Sequence, residues 1–173
     1  MEKKPRKLPV VTFFLLICLL GFGFVIVSTT QATLTTVTLI EGTPEQVWQE
    51  LIDLEHYPDW NTVILEAKGE LKPDAELKIT IIRGDEPHVE TVTVRNVTPN
   101  RELSWEEHSF LPYQLDGVHY FTIEQKDANT VQLTHWETFT GFTVFFQRDQ
   151  LASDYQEKFA KFNEALKKRV EEQ

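Results

Sequence analysis

Residues 147–171 read QRDQLASDYQEKFAKFNEALKKRVE. Within them Leu151, Tyr155, Phe159, Phe162, Leu166 and Val170 recur at steps of four, four, three, four and four. That spacing draws one continuous apolar stripe along an α-helix, and the other faces carry Asp, Glu, Lys and Arg. A long helix with a single apolar stripe needs an apolar surface to lie on. The residues ahead of it supply a sheet.

Between Val63 and Phe139 apolar residues alternate with polar ones at period two. Six strands are expected, over 63–71, 77–83, 89–97, 102–108, 118–124 and 131–139. Turn-forming stretches separate them: Lys72-Pro73-Asp74, Gly84-Asp85-Glu86-Pro87, Thr98-Pro99-Asn100, Pro112 to Gly117 and Asp127-Ala128-Asn129. With connections this short, consecutive strands pair antiparallel. A seventh strand, LTTVTLI at 34–40, is rich in β-branched residues. Glu41-Gly42 ends it. Thr43 then offers a helix N-cap, Pro44 suits the first helical position and Gln46 completes a capping box. The helix that follows has Val47, Trp48, Leu51 and Leu54 on one face. A second short helical or turn segment runs from Glu55 to Asp59. The architecture expected is α+β: a seven-stranded antiparallel sheet curled around the long C-terminal helix, with two short helices after the first strand plugging one end of a hollow.

Several motifs in this order resemble a known family. They are Glu41-Gly42-Thr43-Pro44-Glu45-Gln46-Val47-Trp48, then Asp53 with Tyr57-Pro58-Asp59-Trp60-Asn61, and Arg101-Glu102-Leu103-Ser104-Trp105. Thr134-His135-Trp136-Glu137-Thr138-Phe139-Thr140-Gly141 and Asn163-Glu164-Ala165-Leu166-Lys167 complete the set. Together they are similar to the START/polyketide-cyclase-like superfamily, also called SRPBCC, over residues 34–170. The resemblance implies the helix-grip fold. That fold hosts lipid carriers, hormone receptors, cyclases and chaperone activators, so it fixes no function. It also implies that Trp60 and Asn61 stand at the mouth of the hollow.

Strand alternation says what faces inward. The inward set is Leu77, Ile79 and Ile81, then Leu103, Trp105 and Glu107. His119, Phe121 and Ile123 follow, then Val131, Leu133, His135, Glu137 and Phe139. The helix adds Tyr155, Phe159 and Phe162. An aliphatic and aromatic hollow with a few polar groups is the usual make-up of a small-molecule site. Glu107, His119, His135 and Glu137 share one parity on three sequential strands. A His beside a carboxylate in an apolar hollow can serve as general acid or base, so these four are the candidate catalytic residues. They can equally hold a ligand's polar end, or only satisfy one another and bound water. His119 and His135 lack a spacing that forces convergence on a metal, and no thiolate is available, so neither metal nor cofactor is expected. His56 and His88 fall in turn-like segments and are read as exposed. Phe142-Thr143-Val144-Phe145-Phe146 is unusually apolar. It is read as the packing start of the long helix, with a flap over the cavity or a membrane-facing patch as alternatives.

The chain ahead of residue 34 is of another kind. Residues 1–7 form a basic flank with Lys3, Lys4, Arg6 and Lys7, and residues 8–27 are almost wholly apolar. Twenty such residues suffice to cross a bilayer, and the basic flank stays cytoplasmic. Residues 8–27 are expected to be a transmembrane signal anchor and 28–33 a linker, with the domain over 34–173 extracytoplasmic. A cleaved signal peptide is the alternative, with Thr30-Gln31-Ala32 as its cleavage site and a secreted product. The resemblance implies a bacterial inner membrane, with the domain in the periplasm. Cys18 lies within the apolar run and reads as a small apolar residue.

Of the chain's 17 basic and 27 acidic residues, the first 27 positions hold four and one, leaving a remainder of net charge −13. Such a domain is a poor nucleic-acid binder. The absence of cysteine beyond Cys18 excludes a disulfide framework and a thiol nucleophile. The expected function is a membrane-tethered domain that encloses a hydrophobic or amphipathic, lipid-like molecule. The alternatives are a small cyclase or hydratase using the cavity His and Glu, and a non-catalytic interaction module with a filled interior.

Overall fold

A computed structural model describes residues 10–28, 30–83 and 86–173, with side chains of α1 described from Thr12 to Val25. The basic flank at 1–7 lies outside the described residues. The elements in chain order are α1 (Val10–Ser28), β1 (Gln31–Glu41), α2 (Pro44–Ile52), a 3-10 turn (Leu54–His56) and α3 (Tyr57–Trp60). Then come β2 (Ile64–Gly69), β3 (Glu76–Arg83), β4 (Glu86–Thr98), β5 (Glu102–Glu107), β6 (Asp116–Gln125), β7 (Thr130–Thr140) and α4 (Phe142–Glu171).

The seven strands form one antiparallel sheet in the order β1-β7-β6-β5-β4-β3-β2. All connections from β2 to β7 join neighbours. β1 closes against β7, pairing Gln31 with Thr140 and Glu41 with Thr130. The sheet's concave face buries Leu77, Ile79, Val92, Val94, Leu103, Trp105, Phe121, Ile123, Val131 and Leu133 against Phe162, Leu166 and Val170 of α4. At α2 the capping box forms as read: Gln46 N donates to Thr43 Oγ1 at 3.3 Å and Thr43 N to Gln46 Oε1 at 2.9 Å. Val47, Trp48 and Leu51 close the core at that end. Arg169 of α4 holds Glu50 of α2 at 2.9 Å.

Several boundaries differ from the sequence reading. β1 starts at Gln31, inside the expected linker, because pairing with Thr140 extends it beyond its β-branched run. The segment after α2 divides into a 3-10 turn and a one-turn helix, since Tyr57 is drawn inward and its hydroxyl donates to Leu51 O at 2.7 Å. His56 is exposed on that turn; His88 is exposed too, but on β4. The long helix begins at Phe142 and kinks at Gln147, which sits at φ −129° and ψ 26°. Its first turn splits the apolar stretch: Val144 is buried with Ala32 and Phe139, while Phe145 and Phe146 are exposed.

α1 is a helix of 19 residues whose large apolar side chains, from Phe13 to Val25, are exposed on every side. Phe24 meets Tyr113 of the β5–β6 loop edge-on, with ring centroids 6.1 Å apart. Among the described residues no helix is long and apolar enough to cross a membrane. The spanning helix expected over 8–27 is therefore not shown by the structure.

Candidate functional site

The inward parity of five strands and one face of α4 converge on a narrow inner pocket of about 60 Å³. Ile79 and Ile81 of β3, Glu90 and Val92 of β4 and Trp105 and Glu107 of β5 form one side. His119 of β6 and His135 and Glu137 of β7 form the other. Val63 and Ile64 stand at the β2 edge, and Tyr155, Lys158, Phe159 and Phe162 of α4 close the lid. By itself this pocket holds a few water molecules.

Two wider chambers adjoin it. One, of about 310 Å³, is lined by the β5–β6 loop and shares Glu107, Glu137 and Tyr155 with the inner pocket. The other, of about 510 Å³, runs along α4 past Leu151, Asp154 and Lys161 and shares Val63, Tyr155 and Lys158. Arg83, Leu115, Thr143 and Tyr155 border both chambers. The carboxyls of Glu107 and Glu137 thus stand in a throat between a small apolar interior and a larger wet entrance.

Gly141 makes the entrance possible. It adopts φ +121°, and a Cβ there would collide with the carbonyl oxygens of Tyr113 and Gln114. That close approach ties the β5–β6 loop to the start of α4, with Phe142 N donating to Tyr113 O at 2.9 Å.

Behind the throat runs a chain of short hydrogen bonds. Glu137 Oε2 lies 3.1 Å from His119 Nδ1, and His119 Nε2 lies 2.7 Å from His135 Nε2. His135 Nδ1 lies 2.7 Å from Asn163 Oδ1, and Asn163 Nδ2 donates to Thr38 Oγ1 at 3.1 Å. Rings pack around it: Trp105 stacks on His119 at 4.8 Å and Phe159 on His135 at 4.1 Å. All four imidazole nitrogens are engaged, so neither ring presents a free nitrogen to the cavity.

Burial dominates the electrostatics. It lifts the Glu137 carboxyl to about 8, against the pull of the Lys158 ammonium. Burial, then the neighbouring carboxyls of Glu90 and Glu137, lift Glu107 to about 7. Glu90 also rises through burial, although Arg83 is bonded to it. Burial depresses His119 to about 3 and, helped by His119, drives His135 well below its ordinary value. Lys158 is lowered by burial and by Arg83. Burial thus favours the neutral carboxyl at Glu137 and the neutral imidazole at His119. Among the described residues no three His, Cys, Asp or Glu side chains are grouped to hold a metal ion.

Of the residues read from the sequence, Ile79, Ile81, Trp105, Glu107, His119, His135, Glu137, Tyr155, Phe159 and Phe162 line the inner pocket. Phe121 and Leu133 are fully buried behind that wall, and Phe139 lines the loop-side chamber. Trp60 and Asn61 line none of the three spaces. Trp60 packs on Tyr57 and Phe162, and Asn61 Oδ1 accepts from Val63 N and Ile64 N at 2.8 and 2.9 Å. The sequence reading passed over Arg83, Glu90, Lys158, Asn163 and Thr38. Arg83 continues the Leu77, Ile79, Ile81 parity. Lys158 and Asn163 lie three residues after Tyr155 and four after Phe159, on the apolar stripe. A polar residue interrupting an apolar parity was the available signal.

The fold is shared with enzymes. The aromatase/cyclase Zhui from Streptomyces sp. R1128 superposes with a TM-score of 0.68 at 13% identity, covering 82% of this chain and 94% of that one. Norcoclaurine synthase from Thalictrum flavum, solved in complex with dopamine and hydroxybenzaldehyde, superposes at 0.65 and 13% identity over 84% and 90%. The Bacillus cereus protein XoxI superposes at 0.64 and 20% identity over 80% and 95%. At these identities the likeness shows the fold alone. No curated protein sequence matches the chain. The family described as polyketide cyclase / dehydrase and lipid transport does match it, over residues 31–171. That span takes in every strand of the sheet and the whole cavity-lining face of α4, so the chain belongs to the polyketide cyclase / dehydrase and lipid transport family.

Proposed function

We propose that the domain binds an amphipathic small molecule, its apolar tip in the inner pocket, its polar part at the throat and its remainder in the outer chambers. The observation that carries this reading is the two-part cavity, with Glu107 and Glu137 standing where the aromatic interior meets the wet entrance. Apolar burial contributes about 25 cal/mol per Å². The throat carboxyls orient the ligand. A lipid-like ligand agrees with the transport function named in the family's description. The test is native mass spectrometry of the full-length protein purified from its own host. A discrete added mass that is lost on denaturation supports the reading. An apo mass that takes up no added lipid or aromatic alcohol refutes it.

A second reading, acid–base catalysis on such a ligand, is favoured by one observation. Glu107 and Glu137 are pushed to about 7 and 8, where a carboxyl can exchange a proton near neutral pH. The carboxyls take this role, because both nitrogens of His119 and of His135 are already bonded.

We further propose that α1 tethers the domain to a membrane, with residues 1–7 cytoplasmic and the domain outside. Support comes from the 20-residue apolar run and from a helix that is apolar and exposed all round, which water does not tolerate. Removal of the segment near Ala32 would take Gln31 and the buried Ala32 out of β1, which favours an uncleaved anchor over a secreted form. Alkaline extraction of membranes, with the intact mass of the extracted protein, separates the two. Release into the supernatant at the mass of residues 33–173 would overturn the tether.

A further inference from the structure

With the Asn163 amide nitrogen turned to Thr38 and both imidazoles neutral, the chain of bonds behind Glu137 has one direction of donation. Asn163 uses its amide nitrogen on Thr38 Oγ1, so its Oδ1 can only accept, and His135 must carry a proton on Nδ1 to bond to it. A neutral His135 then has a bare Nε2. The 2.7 Å contact between the two Nε2 atoms therefore takes its proton from His119. A neutral His119 is in turn bare at Nδ1, and the 3.1 Å contact with Glu137 Oε2 takes its proton from the carboxyl. Both rings are sealed among Trp105, Phe121, Phe159 and Phe162, where an imidazolium would be poorly solvated. Glu137 Oε1 accepts no bond from the described residues. It lies directly over Gly117, where an added Cβ would overlap it, and Gly117 lines the loop-side chamber.

We propose that Thr38, Asn163, His135 and His119 form a positioning relay that fixes the Glu137 proton on Oε2 and leaves Oε1 as a hydrogen-bond acceptor in the throat, so that the ligand group bound there is a donor, a hydroxyl. The ligand half of this inference rests on the binding function proposed above; the relay half does not. The upward shift of Glu137 and the downward shifts of both histidines agree with the polarity that the bonds require. The charged groups that face Glu137 are Glu90 of β4, Glu107 of β5 and Lys158 of α4, with Arg83 of β3 beyond them on Glu90. None of them bonds to Oε1. The opposite polarity would need the Asn163 amide reversed, His135 protonated on Nε2, His119 on Nδ1, and a carboxylate at Glu137.

The relay is read directly by long-range ¹H–¹⁵N spectra of histidine side chains in the full-length protein held in detergent micelles. The expected pattern at neutral pH is two neutral rings, His135 protonated on Nδ1 and His119 on Nε2. In Thr38→Val, which removes the acceptor for Asn163 Nδ2 at nearly constant volume, the amide is freed to turn and the opposite tautomers gain population. The opposite tautomers in the wild type, or an imidazolium in either ring, would overturn the relay. The donor requirement is read by titration with 2-naphthol and with 2-methoxynaphthalene, which differ only in the hydroxyl proton and a methyl. Naphthol is expected to bind about tenfold more tightly, the range of one net hydrogen bond. Equal affinities would overturn the ligand half. If neither probe binds, the ligand half falls, while the binding function is judged on the native mass and the relay on its tautomers.

Discussion

Replacement of Glu137 by Gln should make the protein more resistant to alkali, by an amount that depends on pH in a defined way. Burial raises the Glu137 carboxyl from 4.5 to about 8 in the folded protein. A group raised on folding contributes stability that is complete below its unfolded pKa and is lost as pH rises through its folded one. For Glu137 that window runs from about 4.5 to about 8. The full rise corresponds to about 5 kcal/mol, and roughly half of it falls between pH 5 and pH 7. The glutamine amide of the Glu137→Gln variant cannot ionise, keeps a carbonyl oxygen at Oε1 and offers an N–H to His119 Nδ1. The histidines, depressed on folding, act in the opposite sense: the contribution of His119 is complete above about 6.5 and is lost as pH falls toward about 3, and that of His135 is likewise lost at low pH. They are common to both proteins, so the difference between wild type and Glu137→Gln isolates the carboxyl. Urea unfolding at pH 5 and pH 7 measures it. The midpoint of the variant should gain about 1 M on that of the wild type over this interval. A difference between the two proteins that is the same at both pH values would show that Glu137 is already ionised in the native state. It would refute the neutral throat.

Gly117→Ala should push the Glu137 carboxyl off its place, because the new methyl occupies the site of Oε1; the pH-dependent part of the unfolding free energy should shrink, with an overall loss of about 1–2 kcal/mol by urea titration. Phe159→Ala, which empties a wall of the inner pocket and uncovers His135, should cost about 3–5 kcal/mol. A ligand that fills the void should restore about 2.7 kcal/mol of this at a hundred times its Kd, read as a shift in Tm; a melting temperature that no aromatic alcohol moves would show a packed core and not a pocket. Tyr57→Phe removes the buried hydroxyl that donates to Leu51 O and should lower stability by about 1 kcal/mol in calorimetry, without touching the cavity.

The sheet and the long helix were legible because their signals are periodic and long. The stripe from Leu151 to Val170 admits one helix face, and the alternation from Ile79 to Phe139 fixes which side chains meet it. The capping box at Thr43 was legible for a local reason, since its bonds join residues three apart. What escaped depends on partners distant in sequence. β1 begins at Gln31 because Thr140 is there to pair with it. The helix begins at Phe142 because two carbonyls of the β5–β6 loop accept from its first amides, and the kink at Gln147 hides that turn from the main stripe. Arg83 and Lys158 are not legible as cavity residues from their charge, because long side chains carry an apolar stem inward and leave the charge at the rim. Trp60 and Asn61 stand behind residues that line the cavity and do not line it themselves. Asn61 is occupied in capping the start of β2, and Trp60 in packing on Phe162.

The same distinction explains how a small pocket can be selective. An interior of about 60 Å³ buries too little apolar surface to discriminate among ligands by area, and an extra methylene changes affinity by only about 0.8 kcal/mol. A buried polar group left unmatched costs about 1–3 kcal/mol. Discrimination therefore falls to the throat, where Glu137 Oε1 awaits a donor and Glu90 and Glu137 stand close enough to Glu107 to hold its ionisation back. Selectivity of this kind requires that the acceptor hold its position and its protonation state when empty. Thr38 on β1, Asn163 on α4 and the two histidines on β6 and β7 tie separate elements to that one carboxyl. Weakening the packing of α4 on β1 would therefore loosen the acceptor before it opened the pocket, and recognition of a hydroxyl should be lost at a lower urea concentration than the fold.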